Sequence, residues 1–205
     1  MKKIGLINYG GGNYQSVANV LKHLEINFIE VINHQQIKSL THIILPGVGS
    51  YNNLVSKLKN LELFEELLNH ISNKKVFYLG ICVGMQILGE FGTEDSKTKG
   101  FKLIDGYVDK IPVIKSTLPN IGWHQVLIEK KNSPLFKNIS NEEMLFYFAH
   151  SYHFNLKDQN LCSTSIIYEK KIVSSVEKEN IFGVQFHPEK SQSAGLNLLK
   201  NFCNL

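Results

Sequence analysis

The sequence is poor in cysteine and has neither a long apolar run nor a block of like charge. Its three cysteines, Cys82, Cys162 and Cys203, are too few and too unevenly spaced for a disulfide framework or a zinc site. His34, His70 and His150 fall in unrelated segments with no partner one helical turn away, so neither a metal nor a cofactor is expected. No apolar stretch approaches bilayer-spanning length, and "MKKIGLINYGGGN" is too short in its apolar part for a signal peptide. These absences exclude a helical membrane protein and lead to the expectation of a cytoplasmic protein with free thiols. The formal net charge is +4, spread over scattered lysines, which is no footprint for nucleic acid. No P-loop pattern occurs, and no internal repeat or Pro/Ser-rich linker divides the chain. A length of 205 residues suits one well-cored domain, so residues 1–205 are expected to form a single unit.

What is present is alternation. "KKIGLINY" is a short apolar run halted by Gly10, Gly11 and Gly12, and "NYQSVANVLKHLE" follows at helical spacing. "FIEVI" and "HIILP" are short and β-branched, and residues 51–71 repeat leucines every three or four positions, the pattern of one amphipathic helix. "KVFYLGI" is a buried strand and "MQILGE" begins a helix. This order predicts βαβ units and a largely parallel sheet. The later half changes to short, aromatic and β-branched runs, "GYVDKIPVI", "WHQVLIEK", "MLFYFAHSYHFNL", "STSIIYE", "KIVSSVEK" and "IFGVQFHP". These read as strands, several in antiparallel hairpins, with "SAGLNLLKNF" as a closing helix. The predicted class is therefore α/β: a central mixed, largely parallel sheet flanked by helices, plus C-terminal hairpins.

Within this frame, "GICVG" sets Cys82 between Gly80 and Gly84 where a strand turns into a helix. Flanking glycines let the two arms approach, and the turn residue is displayed at the carboxyl edge of the sheet, where α/β ligands bind. A helix starting near Val83 would direct its free N–H groups at the thiol and favour thiolate. A plain tight turn would look the same in isolation. The segment "GVQFHPEKS" adds His187 and Glu189, which alternation places on one face of a strand end with Pro188 stiffening the spacing. A thiol nucleophile, a base and an orienting carboxylate are the parts of a triad. "LPGVGS" ends another strand with Gly47 and Gly49, whose freedom would let backbone N–H groups serve an oxyanion. A dinucleotide fingerprint in "INYGGGNYQSV" fails because Gln15 stands where the third glycine belongs, although Glu30 sits where a ribose-binding acid would.

Together these segments resemble the class I glutamine amidotransferases, and more narrowly the glutaminase subunits of imidazole glycerol phosphate synthase. "NYGGGNYQSV", "LPGVGS", "GICVGMQIL", "PNIGWHQV", "FYFAHSYHF" and "GVQFHPEKSQSAGLNLLKNF" carry the resemblance from residue 8 to residue 202. It implies Cys82 as nucleophile, His187 as acid–base and Glu189 as its orienter. It implies L-glutamine held by Gln86, Ser151 and Tyr152, with Gly49 and the Val83 N–H at the oxyanion hole. It further implies ammonia transfer to a (β/α)8-barrel cyclase subunit, met through Asn13, Trp123, Tyr147 and Lys190. Departures lie on that partner side: Asn8 where Asp is frequent, "GGG" in place of glycine–apolar–glycine, and His124 where Asn is common. Close relatives of such subunits feed a sugar amidotransferase, so two pathways stay open at this point. A catalytically idle scaffold and a cysteine peptidase fit less well, because the triad is intact and Gln86 with "HSY" suits a closed pocket for a free amino acid.

Overall fold

The computed structural model describes residues 2–72 and 76–205. Lys75, first residue of the expected strand "KVFYLGI", lies outside the described residues. The first half alternates as the apolar runs predict: β1 (Ile4–Ile7), α1 (Tyr14–His23), β2 (Ile29–Val31), β3 (His42–Gly47), α2 (Tyr51–Asn60), α3 (Leu63–Ile71), β4 (Phe77–Cys82) and α4 (Val83–Gln86). β1 and β3 are buried along their whole length, which is why they read as unbroken apolar runs rather than alternating ones. The second half adds short strands: β5 (Phe91–Gly92), β6 (Thr98–Lys99), β7 (Gly106–Lys110), β8 (Asn120–Gln125), β9 (Leu127–Ile128), β10 (Leu145–His150), β11 (Tyr152–Leu156), β12 (Cys162–Tyr168), β13 (Lys170–Lys178) and β14 (Ile181–Val184). Helix α5 (Gln192–Cys203) closes the chain.

Among the described residues the main sheet has the order β2-β1-β3-β4-β14-β13-β12-β9. Its pairings are parallel from β2 through β14 and antiparallel from there to β9. A ribbon of β8 and β10 and a smaller sheet of β11-β7-β5-β6 stand beside it. This is the mixed, largely parallel α/β architecture expected. The register sets Gly47 opposite Cys82 and Val184 opposite Ile81, so β3, β4 and β14 deliver their carboxyl ends to one edge.

Two helical expectations change. Residues 51–71 form two helices, not one, because Glu62 adopts a left-handed backbone with φ 57 between α2 and α3. The elbow helix α4 is a single turn. Beyond it the winding tightens, with Leu88 N–H bonding Met85 O and Gly89 N–H bonding Gln86 O. The carbonyls of Ile87 and Leu88 are taken by the N–H groups of Phe101, Leu103 and Ile104, which diverts the bonds a longer helix would need.

Candidate active site

Cys82 sits at the end of β4 with φ 54 and ψ −110, a conformation costly for a side chain bearing a Cβ. The elbow is held by close backbone approach. A Cβ on Gly80 would lie 2.1 Å from the Gly84 carbonyl oxygen, and one on Gly84 would lie 2.1 Å from Leu45 O. Below the turn, the buried Tyr78 hydroxyl donates to Gly84 O at 2.7 Å. Only glycine fits at either flank, so the spacing in "GICVG" is a packing requirement as well as a chemical one.

The two other triad candidates converge on this thiol. His187 Nδ1 donates to Glu189 Oε1 at 2.8 Å, and both side chains are almost wholly buried. The remaining ring nitrogen is left for the Cys82 sulfur, to which His187 is hydrogen-bonded. Burial alone would lower the basicity of His187; the bonds to Cys82 and Glu189 outweigh it and raise the imidazole well above its ordinary range. Phe186, immediately before it, stacks on Phe146 of β10 at 4.0 Å and meets Phe148 edge-on at 5.6 Å. The His187 N–H donates to Tyr147 O at 2.8 Å, and Ser191 Oγ donates to His187 O at 2.6 Å. The base is thus fixed on both faces by the β10 ribbon and by the start of α5.

Cys82 and His187 open into a cavity of about 580 Å³. Every residue expected to hold substrate lines it: Gly49, Val83, Gln86, Ser151 and Tyr152. Gly49 has φ +90, and the space around its Cα is open. The expectation that a helix dipole steadies the thiol gives way, since one turn of α4 carries little of it. Gln185, just past β14, faces the thiol instead. Its Nε2 lies 3.5 Å from Cys82 Sγ, and its Oε1 accepts from Gln86 Nε2 at 3.0 Å. Sequence reasoning missed it, and the strand end expected to carry His187 and Glu189 is instead a tight turn: β14 stops at Val184 and residues Pro188–Lys190 wind as a single 3-10 turn, so the pair meets across that turn and not by strand alternation. Glu94 was also missed. It lines the cavity and accepts from the Tyr51 N–H at 2.8 Å, and no motif around "GTEDS" marks it.

Trp123, on β8, is 41% exposed and meets Tyr147 edge-on at 5.9 Å. Lys190 Nζ stands 5.6 Å from the Tyr147 ring centre, so these three form one patch beside the cavity mouth. Asn13 is half-buried and lines the same cavity as Lys190. Its Nδ2 donates to Glu189 Oε1 at 2.8 Å, so it reaches the triad itself. Asn8 bonds Glu30 at 2.6 Å, away from these groups.

The family model for "Glutamine amidotransferase class-I" matches residues 5–205. The chain belongs to the class I glutamine amidotransferases. Among members of this family, a protein of Pelagibacter ubique named imidazole glycerol phosphate synthase subunit HisH is 41% identical over 209 residues, covering 98% of this chain and 99% of its own. A protein of the same name from Methanocaldococcus jannaschii is 39% identical over 202 residues, covering 98% and 99%. In fold, the chain is similar to the structure of PurLQS from Thermotoga maritima, with TM-score 0.75 and 19% identity over 99% of this chain and 98% of that one. A crystal structure of a glutamine amidotransferase gives TM-score 0.74 at 14% identity, covering 98% and 97%. As an amidotransferase, the chain is an enzyme whose family chemistry uses the amide nitrogen of glutamine. Among the described residues no helix is long and apolar enough to cross a membrane.

Proposed function

We propose that this amidotransferase is the glutaminase subunit of an imidazole glycerol phosphate synthase. It hydrolyses L-glutamine to L-glutamate and ammonia and passes the ammonia to a (β/α)8-barrel cyclase subunit. That partner would make imidazole glycerol phosphate and aminoimidazole carboxamide ribonucleotide in histidine biosynthesis, in the cytoplasm. The observation that carries the reading is the convergence of Cys82, His187 and Glu189 on one cavity, in a chain about 40% identical over its length to proteins of that name.

The geometry supports the following sequence. Cys82 thiolate attacks the carboxamide carbon of glutamine, forming a C–S bond while the carbonyl oxygen becomes an oxyanion. The Val83 N–H and the backbone at Gly49 receive that charge. Imidazolium His187 gives its proton to the departing nitrogen, the C–N bond breaks, and ammonia leaves with a γ-glutamyl thioester behind. His187 then takes a proton from water, whose oxygen attacks the thioester, and glutamate and the thiolate are released. Glu189 holds the ring tautomer throughout. Glu94 and Gln86 supply oxygen acceptors suited to an α-ammonium group, and Ser151 and Tyr152 offer polar backbone and side-chain groups to the carboxylate end.

Trp123, Tyr147 and Lys190 form the surface we assign to the cyclase subunit. Ile121 and Leu145 beside them are 61% and 41% exposed, which adds apolar area for docking. Contact there would be felt one hydrogen bond from His187, through the Tyr147 carbonyl. Glutamate release should be measured for the chain alone, then with its host's cyclase subunit and that subunit's ribonucleotide ligand, with Cys82→Ala as blank. Stimulation of at least tenfold that vanishes in the variant supports the assignment. No binding and no stimulation by the cyclase, with hydrolysis intact, would transfer the chain to another ammonia acceptor such as a sugar amidotransferase.

A further inference from the structure

A buried line of amides and imidazoles surrounds the Tyr152 carbonyl, and its hydrogen-bond polarity is dictated by that one atom. A carbonyl oxygen only accepts. The Gln86 side-chain atom 3.1 Å from it is therefore the NH₂. The same NH₂ stands 3.0 Å from Gln185, which must present its oxygen there. The other end of the Gln185 amide is then an NH₂, and it faces Cys82 Sγ at 3.5 Å, an ordinary separation for a sulfur acceptor. On the opposite side of the same carbonyl, His150 Nδ1 donates at 2.8 Å. Its Nε2 is thereby left to accept from Asn120 Nδ2 at 3.1 Å, and Asn120 Oδ1 accepts from His124 Nε2 at 2.7 Å. No member of this line can reverse without placing two acceptors or two donors face to face. Gln185 and Gln86 are 0% and 2% exposed, so water does not compete for either group.

We propose that Gln185 is a further catalytic residue of the glutaminase: its side-chain N–H donates to the Cys82 sulfur and holds it as thiolate, with Gln86 fixing which end of the amide faces the thiol. A directed N–H donor at the sulfur favours a thiolate–imidazolium pair over the neutral one. The same donor receives the sulfur when the C–S bond of the thioester breaks and the electron pair returns to it. A reversed amide would set a carbonyl oxygen against the thiolate. The Tyr152–Gln86 anchor prevents this, and it also leaves Gln86 Oε1 as the atom turned to substrate.

The proposal rests on Cys82 as nucleophile, and its failure is distinguishable from failure of that reading. The test is the rate of Cys82 alkylation by iodoacetamide at pH 7 in the full chain, with Cys82→Ala as blank. Burial pushes the Cys162 and Cys203 thiols up to about 11 and about 12, so they contribute little background. Gln185→Leu and Gln185→Met remove the donor while filling similar volume. Because a bond to an ionised group is worth roughly tenfold or more, alkylation should slow about tenfold or more in both variants. In the complex with the cyclase subunit, kcat for glutamine should fall by a similar factor while KM stays within about threefold. Alkylation at the wild-type rate in either folded variant overturns the proposal. So does a loss expressed wholly in KM, which would make Gln185 a support for the pocket only. Should the leucine variant not fold, the methionine variant, unbranched and flexible, decides alone. Undiminished hydrolysis by Cys82→Ala would instead remove the reading beneath it.

Discussion

Glu189 carries two donors on one oxygen, the His187 Nδ1–H and the Asn13 side-chain N–H, each at 2.8 Å. Its second oxygen is buried without a hydrogen-bond partner among the described residues. The carboxylate is therefore held from one side only, and Asn13 is the group that keeps it turned to the imidazole. Truncation by Asn13→Ala should lower kcat about tenfold, the worth of one bond to a charged acceptor, with little change in KM. Asn13→Asp should do worse, since a second carboxylate at 2.8 Å opposes the first. Steady-state glutamate release in the complex measures both. Equal activity in the two variants would show that Asn13 spaces the glycine turn without steering Glu189. The sequence did not reveal this role because 176 positions separate the pair, and no local pattern reports a contact of that range. Cys82, His187 and Glu189 stood out for the opposite reason: a two-glycine elbow and a compact H-P-E segment are local features, although that segment folds as a tight turn after β14 and not as the strand end expected.

At the scale of elements, short apolar runs disclosed the strands well and helix limits poorly. Leu58, Leu61 and Phe64 keep a three-residue step through 51–71, yet Leu61 is 38% exposed, and the chain re-aims at Glu62 so that Leu63, Phe64, Leu67 and Ile71 can be buried. Neither glycine nor proline marks that break, so periodicity runs straight over it. The one-turn α4 was hidden likewise, because what ends it is a set of donors from residues 101–104. Pairing was also beyond the sequence: β8 joins β10 while β9, one residue later, joins the main sheet. One close backbone contact sets the catalytic turn. Gly195 of α5 lies so close to the H-P-E turn that a Cβ there would stand 1.8 Å from Pro188 O. Gly195→Ala must push α5 away from the turn and disturb the Ser191 Oγ bond to His187 O. A cost of about 2–4 kcal/mol is expected, or a fall of roughly 10 °C in thermal midpoint. Activity of the surviving fold should drop as well, while Ser193→Ala, on the exposed side of α5, changes neither. A lowered midpoint with full kcat would mean that α5 supports the fold without placing His187.

For the whole molecule, the buried histidines set a pH window. His150 is held down to about 4, chiefly by burial, against an opposing contribution from the Tyr152 carbonyl and helped by nearby His153, His124 and His187. His153 is likewise lowered to about 4 by burial, with Lys170 adding and Asp109 opposing. Both rings stay neutral in the native protein at pH values where the unfolded chain binds a proton. Unfolding therefore takes up protons below the ordinary histidine value of 6.5, and stability rises with pH in that range. Their contribution is complete above about pH 6.5 and is lost as pH falls towards 4. His187 acts in the reverse sense. Its raised imidazole binds a proton in the native state before the unfolded chain does, so its contribution is full below the ordinary histidine range and is lost as pH rises through the raised value. Stability should thus peak near neutrality and fall on both sides. Each neutral buried histidine is worth about 1 kcal/mol per pH step inside the acid window, so two predict a fall of roughly 5 °C in midpoint per step. Circular-dichroism melts from pH 8 to pH 4.5 would measure it. His153→Gln, which removes one titrating ring and leaves the line through His150 in place, should lessen the acid slope, with His42 and His124, also lowered by burial, keeping their share. An unchanged slope in that variant would assign the acid loss to carboxylates instead.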